Sequence, residues 1–500
     1  MGLLPHASYV RRLCPLALAA VAIASVGCAT NPATGKKQLS LYSEAQEIQM
    51  GRSADPQIVA QYGLTSDEEL SAYVDGIGQR LAAGSERPDL PWTFRVLDDP
   101  VVNAFALPGG FIYVTRGILA HMGSEAELAA VLGHEIGHVT ARHGVNRLSK
   151  AQLTQLGLGV GMVAAPEMRG ILGDLAQTGL QLLFLKYSRD DERQADALGF
   201  RYTNRNEYPP GGFVNVFQTL AATSRLAGGG QRLPSYLATH PNPEERLLTA
   251  RQRMDSLPPE VVDRPWHREE FVRFLDGMVY GYDPRQGYFR GREYVHPDLE
   301  FRLLLPAGWT GHNQSQALVV VHPDNDAIFQ LTLADGSSAD EAAAKFYRQQ
   351  GLELGSPWTL RAGLRLQAGR YFQIDQGPNT DPLYGAAAFS SYGGRVYRLL
   401  AVSTQRAWRQ RSGALTAIME SWSKLKDREA LSVQPRRIDL VTLDRAMDIE
   451  EFQRRYPSDV ELDHLAVLNQ VERGERMPVG HKVKRVRGFD PGPMMGVELR

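Results

Sequence analysis

Apolar positions in this chain recur at helical spacing in the first half and at strand spacing in much of the second. Ser43 can cap a first helix, with Gln46 answering it three residues on. A second box, Ser66 with Glu69, opens a helix whose Leu70, Tyr73, Val74, Ile77 and Leu81 fall on one face. Two short strand patterns follow at 93–97 and 111–115, the latter reached through Pro108-Gly109-Gly110. A third box, Ser124 with Glu127, predicts a helix to about His143, with Leu128, Val131, Leu132, Ile136 and Val139 as its buried stripe. The stretch 153–185 is rich in Leu and Gly but is broken by Pro166-Glu167-Met168-Arg169. Neither half reaches the roughly 20 apolar residues of a membrane span, so it reads as a helical pair over a cleft, with membrane contact as the alternative. Helical pattern resumes at 188–204 and 213–226, and Gly228-Gly229-Gly230 marks a flexible loop.

Near Pro258 the texture changes. Strand-like runs at 301–305, 317–321, 327–333, 370–374 and 396–403 alternate with two helical patterns. One opens at Ser338 with Glu341; the other carries Ala407, Leu415, Ile418 and Trp422. The expected fold class is therefore α+β. A mainly helical domain with a small sheet (43–258) is followed by a linker (259–289), an α+β sandwich-like accessory domain (290–427) and a small C-terminal unit (437–488). There is no solenoid repeat and no low-complexity segment.

Residues 1–27 are a different material. Arg11 and Arg12 precede an apolar run at 13–26, and Ser25-Val26-Gly27 leads directly into Cys28. That is the layout of a signal peptide, too short for a permanent span. Its end resembles a bacterial lipobox, in which Cys28 is acylated; the alternative is an ordinary cleaved signal with an incidental cysteine. The only other cysteine, Cys14, lies inside the leader, so the mature chain has neither disulfide nor cysteine-nucleophile chemistry. Residues 28–42 then read as a tether. Ala29 rather than an acid follows the cysteine, which by resemblance to Gram-negative lipoprotein sorting favours the outer membrane of a bacterial periplasm. Basic and acidic residues number 55 and 56 and are mixed along the chain, so composition offers no footprint for nucleic acid.

The chemistry concentrates in His134-Glu135-Ile136-Gly137-His138. Residues four apart share one face of a helix, so both imidazoles can reach one zinc ion, and Glu135 can serve as general base toward the open coordination position. A catalytic zinc site takes a third protein ligand. The candidates lie in Ser188-Arg189-Asp190-Asp191-Glu192-Arg193-Gln194-Ala195-Asp196, where Glu192 and Asp196 are again one turn apart. On spacing alone Asp190, Asp191 and His143 compete, although His143 lies about 140° around the helix from His138 and fits a capping or supporting role better.

These motifs resemble those of the gluzincin metallopeptidases of the HtpX and CAAX-prenyl-protease family, most closely their periplasmic lipoprotein members. The likeness spans about 31–258. It rests on His134, Glu135 and His138, on Glu192 with Asp196, on His240-Pro241 with Arg246, and on Asn31-Pro32 with Gly35-Lys36. It implies a zincin-type fold holding one Zn2+ per chain by His134, His138 and Glu192, with Asp196 and Arg246 supporting the ligands. It further implies that His240 is functional, donating to the oxyanion or, at rest, binding the metal itself; a structural histidine is the alternative. Asn103-Ala104-Phe105 resembles the edge strand that pairs with extended substrate in such enzymes; the alternative is a plain hairpin with Phe105 buried. The implied activity is zinc-dependent endoproteolysis of misfolded or misassembled envelope proteins. A chaperone or assembly scaffold and a peptidoglycan hydrolase are the rivals. Phe301 to Trp309 resembles a PsbP-like sandwich. Thr442-Leu443, Ile449, Phe452, Leu465, Leu468-Asn469 and Gly480 to Val483 resemble a LysM-like module, a kind that often holds peptidoglycan; a structural cap without ligand is the alternative.

Overall fold

The computed structural model describes residues 28–158, 186–227, 235–358, 361–375 and 382–499. The expected leader, most of the apolar stretch 153–185 and the glycine run 228–230 lie outside the described residues. Among the described residues, no helix is long and apolar enough to cross a membrane.

The supposed tether is folded at its start. Strand β1 (Cys28–Thr30) pairs antiparallel with β2 (Lys37–Leu39), and Asn31 at their turn is buried, its amide donating to Ala141 O. Helix α1 (Glu44–Tyr62) carries the expected capping box between Ser43 and Gln46. Helix α2 (Glu68–Ala83) starts one residue later than the Ser66 box predicts. Asp67 takes the cap, accepting from Leu70 N, because its carboxylate reaches the first-turn amides that Ser66 would have served.

Strands β3 (Thr93–Leu97), β4 (Ala104–Leu107) and β5 (Phe111–Thr115) form a sheet in the order β3-β5-β4, with β4 antiparallel at the edge. Helix α3 (Arg116–Ala120) leads from β5 to α4 (Glu125–Thr140), which Ser124 caps. All 16 residues of α4 are buried, so the expected one-sided stripe becomes a helix enclosed on every side. It ends three residues short of His143. Arg142 turns the chain through a left-handed conformation (φ +62°), its guanidinium held by Glu47 and Tyr42 O, and α5 (His143–Leu158) begins afresh. Helices α6 (Arg189–Arg205), α7 (Gly211–Ala227), α8 (Ser235–Thr239) and α9 (Pro243–Asp255) complete this domain; α4 packs on α6 and α7, and α7 on α9.

The expected linker is ordered. Phe271, Val272, Phe274 and Leu275 join the same core as α2 and α4. The accessory domain carries an eight-stranded antiparallel sheet. Its strand Leu383–Tyr392 escapes the sequence pattern because Gly385-Ala386-Ala387-Ala388 lacks the β-branched residues that mark strands. The chain's last described strand, Met495–Glu498, returns to this sheet beside Thr310–Asn313. The C-terminal unit therefore lies between two segments of the accessory domain. It runs strand (Arg437–Thr442), helix (Ile449–Arg455), helix (Leu462–Asn469), strand (Lys482–Arg487), the two strands paired antiparallel.

Candidate metal centre

Two glycines set the distance between the helices that bear the site. A Cβ at Gly137 would lie 2.9 Å from Ala195 O, and one at Gly199 would lie 2.9 Å from His134 N. Side chains at either position would push α4 and α6 apart; without them, Glu192 on α6 reaches the imidazoles of α4.

The result is a set of converging donors. His134 Nε2 and His138 Nε2 are 3.0 Å apart. His240 Nδ1 is 3.2 Å from His134 Nε2 and 3.0 Å from Glu192 Oε1, and Glu192 Oε1 is 3.5 Å from His138 Nε2. All four residues are buried, and one ligand atom from each lies within 4.8 Å of the others. Ligands on a tetrahedral zinc with bonds of about 2.0–2.1 Å are separated by about 3.3 Å. The donor set and its edge lengths therefore suit zinc. The orphaned atoms agree: both Glu135 carboxylate oxygens and His240 Nε2 are buried without hydrogen-bond partners. Such groups are costly to leave unmatched unless a ligand answers them.

Neighbouring groups fix the tautomers. His134 Nδ1 donates to Asp196 Oδ1 at 2.9 Å, which leaves its Nε2 lone pair free. His143 Nε2 donates to Gln194 Oε1 at 2.9 Å, so His143 Nδ1 must accept; it takes the proton of His138 Nδ1, also at 2.9 Å, and frees His138 Nε2. Arg246, in the first turn of α9, forks onto Asp196 with two bonds, lies 2.9 Å from Glu192 Oε2 and rests over the Phe217 ring. Burial alone would raise the Glu192 carboxyl, but the His240 ring and the Arg246 guanidinium hold it well below the ordinary range. Asp196 is lowered too, against burial, chiefly by Arg246. Glu135, wholly buried, is pushed up to about 7 by burial. Desolvation lowers His138 well below its usual value.

His240 follows α8 directly, its N donating to Tyr236 O, and Pro241 and Asn242 lead into α9. It thus sits on the irregular segment before a helix that Pro241 predicts. The structure brings together His134, Glu135, His138, Glu192, Asp196, His240 and Arg246. The 103–105 segment stands differently. Ala104 and Phe105 lie in the edge strand β4, but the Phe105 ring is buried against Tyr113 and Tyr62, as in the plain-hairpin alternative. Asn103 O accepts from Thr115 N, and the free backbone edge is met one residue earlier, where Val102 O accepts from Tyr236 N. Cys28 lies in β1, far along the chain from the centre.

Sequence reasoning missed two rings that cover the site. Tyr187 stacks on His138 with ring centroids 3.8 Å apart, and Tyr236 stacks on His240 at 4.4 Å. Tyr236 sits one helical turn before His240, a spacing that could have flagged it. Nothing in the sequence marks Tyr187.

Comparison with known proteins agrees with this geometry. The pattern of Peptidase family M48 matches residues 68–254. The beta-barrel assembly-enhancing protease of Yersinia pestis is 32% identical over 238 residues, 46% of this chain and 48% of that one. The metalloprotease YcaL of Escherichia coli is 30% identical over 215 residues, 41% of this chain and 81% of that one. The chain thus spans about half the length of the beta-barrel assembly-enhancing proteases it matches. Among solved structures, the PsbP protein of Synechocystis covers 26% of this chain and 91% of its own at 14% identity, with a TM-score of 0.21 that carries no argument. On the matched sequence and on the relative it largely covers, this chain belongs to peptidase family M48.

Proposed function

We propose that this chain is a zinc-dependent endopeptidase of the bacterial cell envelope that degrades misfolded or misassembled envelope proteins. The observation that carries the reading is the convergence of His134, His138, Glu192 and His240 beside a Glu135 carboxylate with no partner of its own. His134, His138 and Glu192 hold the ion. What zinc supplies when bound is Lewis acidity, which polarises a scissile carbonyl and eases deprotonation of water.

The chain's own groups do the rest. Glu135 Oε accepts the proton of the attacking water and returns it to the leaving amine; a carboxyl near 7 can do both at neutral pH. Asp196 and the His143–Gln194 pair hold the ligand rings in their metal-binding tautomers. Arg246 keeps Glu192 and Asp196 ionised. His240 converges on the ligand residues with Tyr187 and Tyr236 against its ring, which supports a resting form in which it binds the metal itself. His240 Nε2, 3.7 Å from Glu135 Oε1, is aimed at the same space as the general base and would donate to an oxyanion formed there. Substrate in extended form pairs with the backbone edge at 103–105, main-chain bonds giving affinity with little sequence preference.

Lipidation at Cys28 anchors the protein to the outer membrane, facing the periplasm; the small residues before Cys28 and Ala29 after it support this. The C-terminal unit is the candidate for peptidoglycan contact, its strand–helix–helix–strand order supporting the LysM likeness. One experiment tests the core of the reading: zinc per chain, and cleavage of unfolded casein, for the wild type and for Glu135→Gln and Glu192→Ala. Glu135→Gln should keep zinc and lose cleavage; Glu192→Ala should lose both. Cleavage of purified sacculi but not casein would favour the peptidoglycan hydrolase. Envelope function persisting in Glu135→Gln would favour the scaffold.

A further inference from the structure

The turn that enters the metal-bearing helix has all four of its carbonyls held from outside the 43–258 domain. Lys484 Nζ donates to Ala120 O and to Met122 O, each at 2.9 Å; Gln470 Nε2 donates to His121 O at 3.0 Å; Arg268 Nη1 donates to Gly123 O at 3.0 Å. Arg268 in turn donates to Lys482 O, which ties that arginine to the C-terminal unit. Gln470 also reaches Glu127 Oε2 at 2.6 Å, and Glu127 accepts from Gly123 N and Ser124 Oγ across the start of α4. The first free amides of α4 are met by the same side of the molecule: Glu125 N donates to His267 O and Ala126 N to Trp266 O. Gly123 lets these groups come close, since a Cβ there would lie 2.7 Å from Gln470 Oε1.

Two features show that these residues are placed for the contact. Gln470 ends the helix Leu462–Asn469 in a left-handed conformation (φ +57°), where glycine is the unstrained choice; a glycine could not reach the turn. Lys484 is 1% exposed on a strand with two buried faces. Val483 points into the unit's own core, while Val486, on the same face as Lys484, packs in the core of the peptidase domain. A buried lysine costs stability unless its protons are matched, and here two carbonyls take two of the three. The turn matters because it joins β5, the neighbour of the substrate-facing edge, to the helix that carries His134 and Glu135. Beside it, a cleft lined by Val102, Ile118, Met122, Val216 and Leu220 opens next to the same edge.

We propose that the C-terminal unit is a clamp on the catalytic helix: Gln470 and Lys484 are positioning residues that fix the 120–124 turn and so hold Glu135 and its ligand neighbours in register with the substrate edge. This rests on the peptidase reading above, and the test separates the two. Gln470→Gly removes the side chain while relieving the left-handed backbone, so the unit itself stays folded; Lys484→Met is the second variant. In the full-length, zinc-loaded protein, amide hydrogen exchange at 121–128 should accelerate at least tenfold in either variant, while exchange in the strand 437–442 stays unchanged in Gln470→Gly. Zinc should stay at one per chain, and kcat on unfolded casein should fall about fivefold with KM within twofold. Unchanged exchange at 121–128, or an unchanged kcat at full zinc loading, overturns the clamp. A wild type that binds zinc yet cleaves no casein overturns the peptidase reading instead, and the exchange data then decide the clamp alone.

Discussion

The two ends of the catalytic helix bury polar groups to similar depth and treat them in opposite ways. At its start, Glu127, Gln470 and Lys484 leave no buried side-chain atom without a partner, and Arg268 leaves only its Nε. Past its middle, Glu135 has neither oxygen hydrogen-bonded, and His240 Nε2 is likewise unmatched. Fully satisfied polarity fixes a structure; unsatisfied polarity is held in place by the rest of the fold and waits for something to bind. The helix is thus anchored at the end that does no chemistry and left electrostatically incomplete where chemistry occurs.

The sharpest way to break this contrast is Glu135→Gln. Cleavage should fall by about a thousandfold, the scale of losing a general base. The metal-free variant should nonetheless unfold at a higher temperature than the metal-free wild type, because an unpaired buried acid has been removed. A fall in melting temperature would mean that the carboxylate is structural. At the other end, Glu127→Ala should cost about 3 kcal/mol in urea unfolding, since Gly123 N, Gln470 and Ser124 lose their acceptor together. A cost under about 0.5 kcal/mol would remove the distinction between the two ends. His143→Ala should weaken zinc binding about 10- to 100-fold in competition with a chelator, by releasing His138 from its tautomer.

The smallest effect is on pH. Burial, with Arg268 nearby, lowers the Lys484 ammonium to about 7, Glu127 opposing the shift. Between about 7 and the ordinary lysine range, the unfolded chain keeps a proton that the folded chain has shed, so stability should rise with pH across that window. The unfolding free energy of the wild type should therefore gain on that of Lys484→Met by roughly 1 kcal/mol between pH 7 and 8. Parallel curves would show that Lys484 keeps its charge throughout.

How much of this was legible beforehand follows from how local each signal is. His134 and His138 are one turn apart on one helix, and the Ser124 cap of α4 lies within four residues of Glu127; both can be read directly. Glu192 lies on another helix, and only its family motif separates it from Asp190 and Asp191. The relay from His138 through His143 to Gln194 crosses from α4 through α5 to α6 and has no one-dimensional signature. Lys484 has no such signature: Lys482-Val483-Lys484-Arg485-Val486-Arg487 puts one valine on each face of the strand, and only docking of two units buries the lysine. The last strand, at 495–498, sits among glycines and a proline that mark turns, and its partner is fixed by a sheet begun far upstream.

That returning strand imposes an order of assembly. During synthesis, the edge at Thr310–Asn313 emerges long before its partner Met495–Glu498, and everything between the two must leave the ribosome first. Until then, an unpaired β-edge is on offer to any other nascent chain, an intermolecular sheet-pairing hazard that the protein must outrun or have shielded in transit to its compartment.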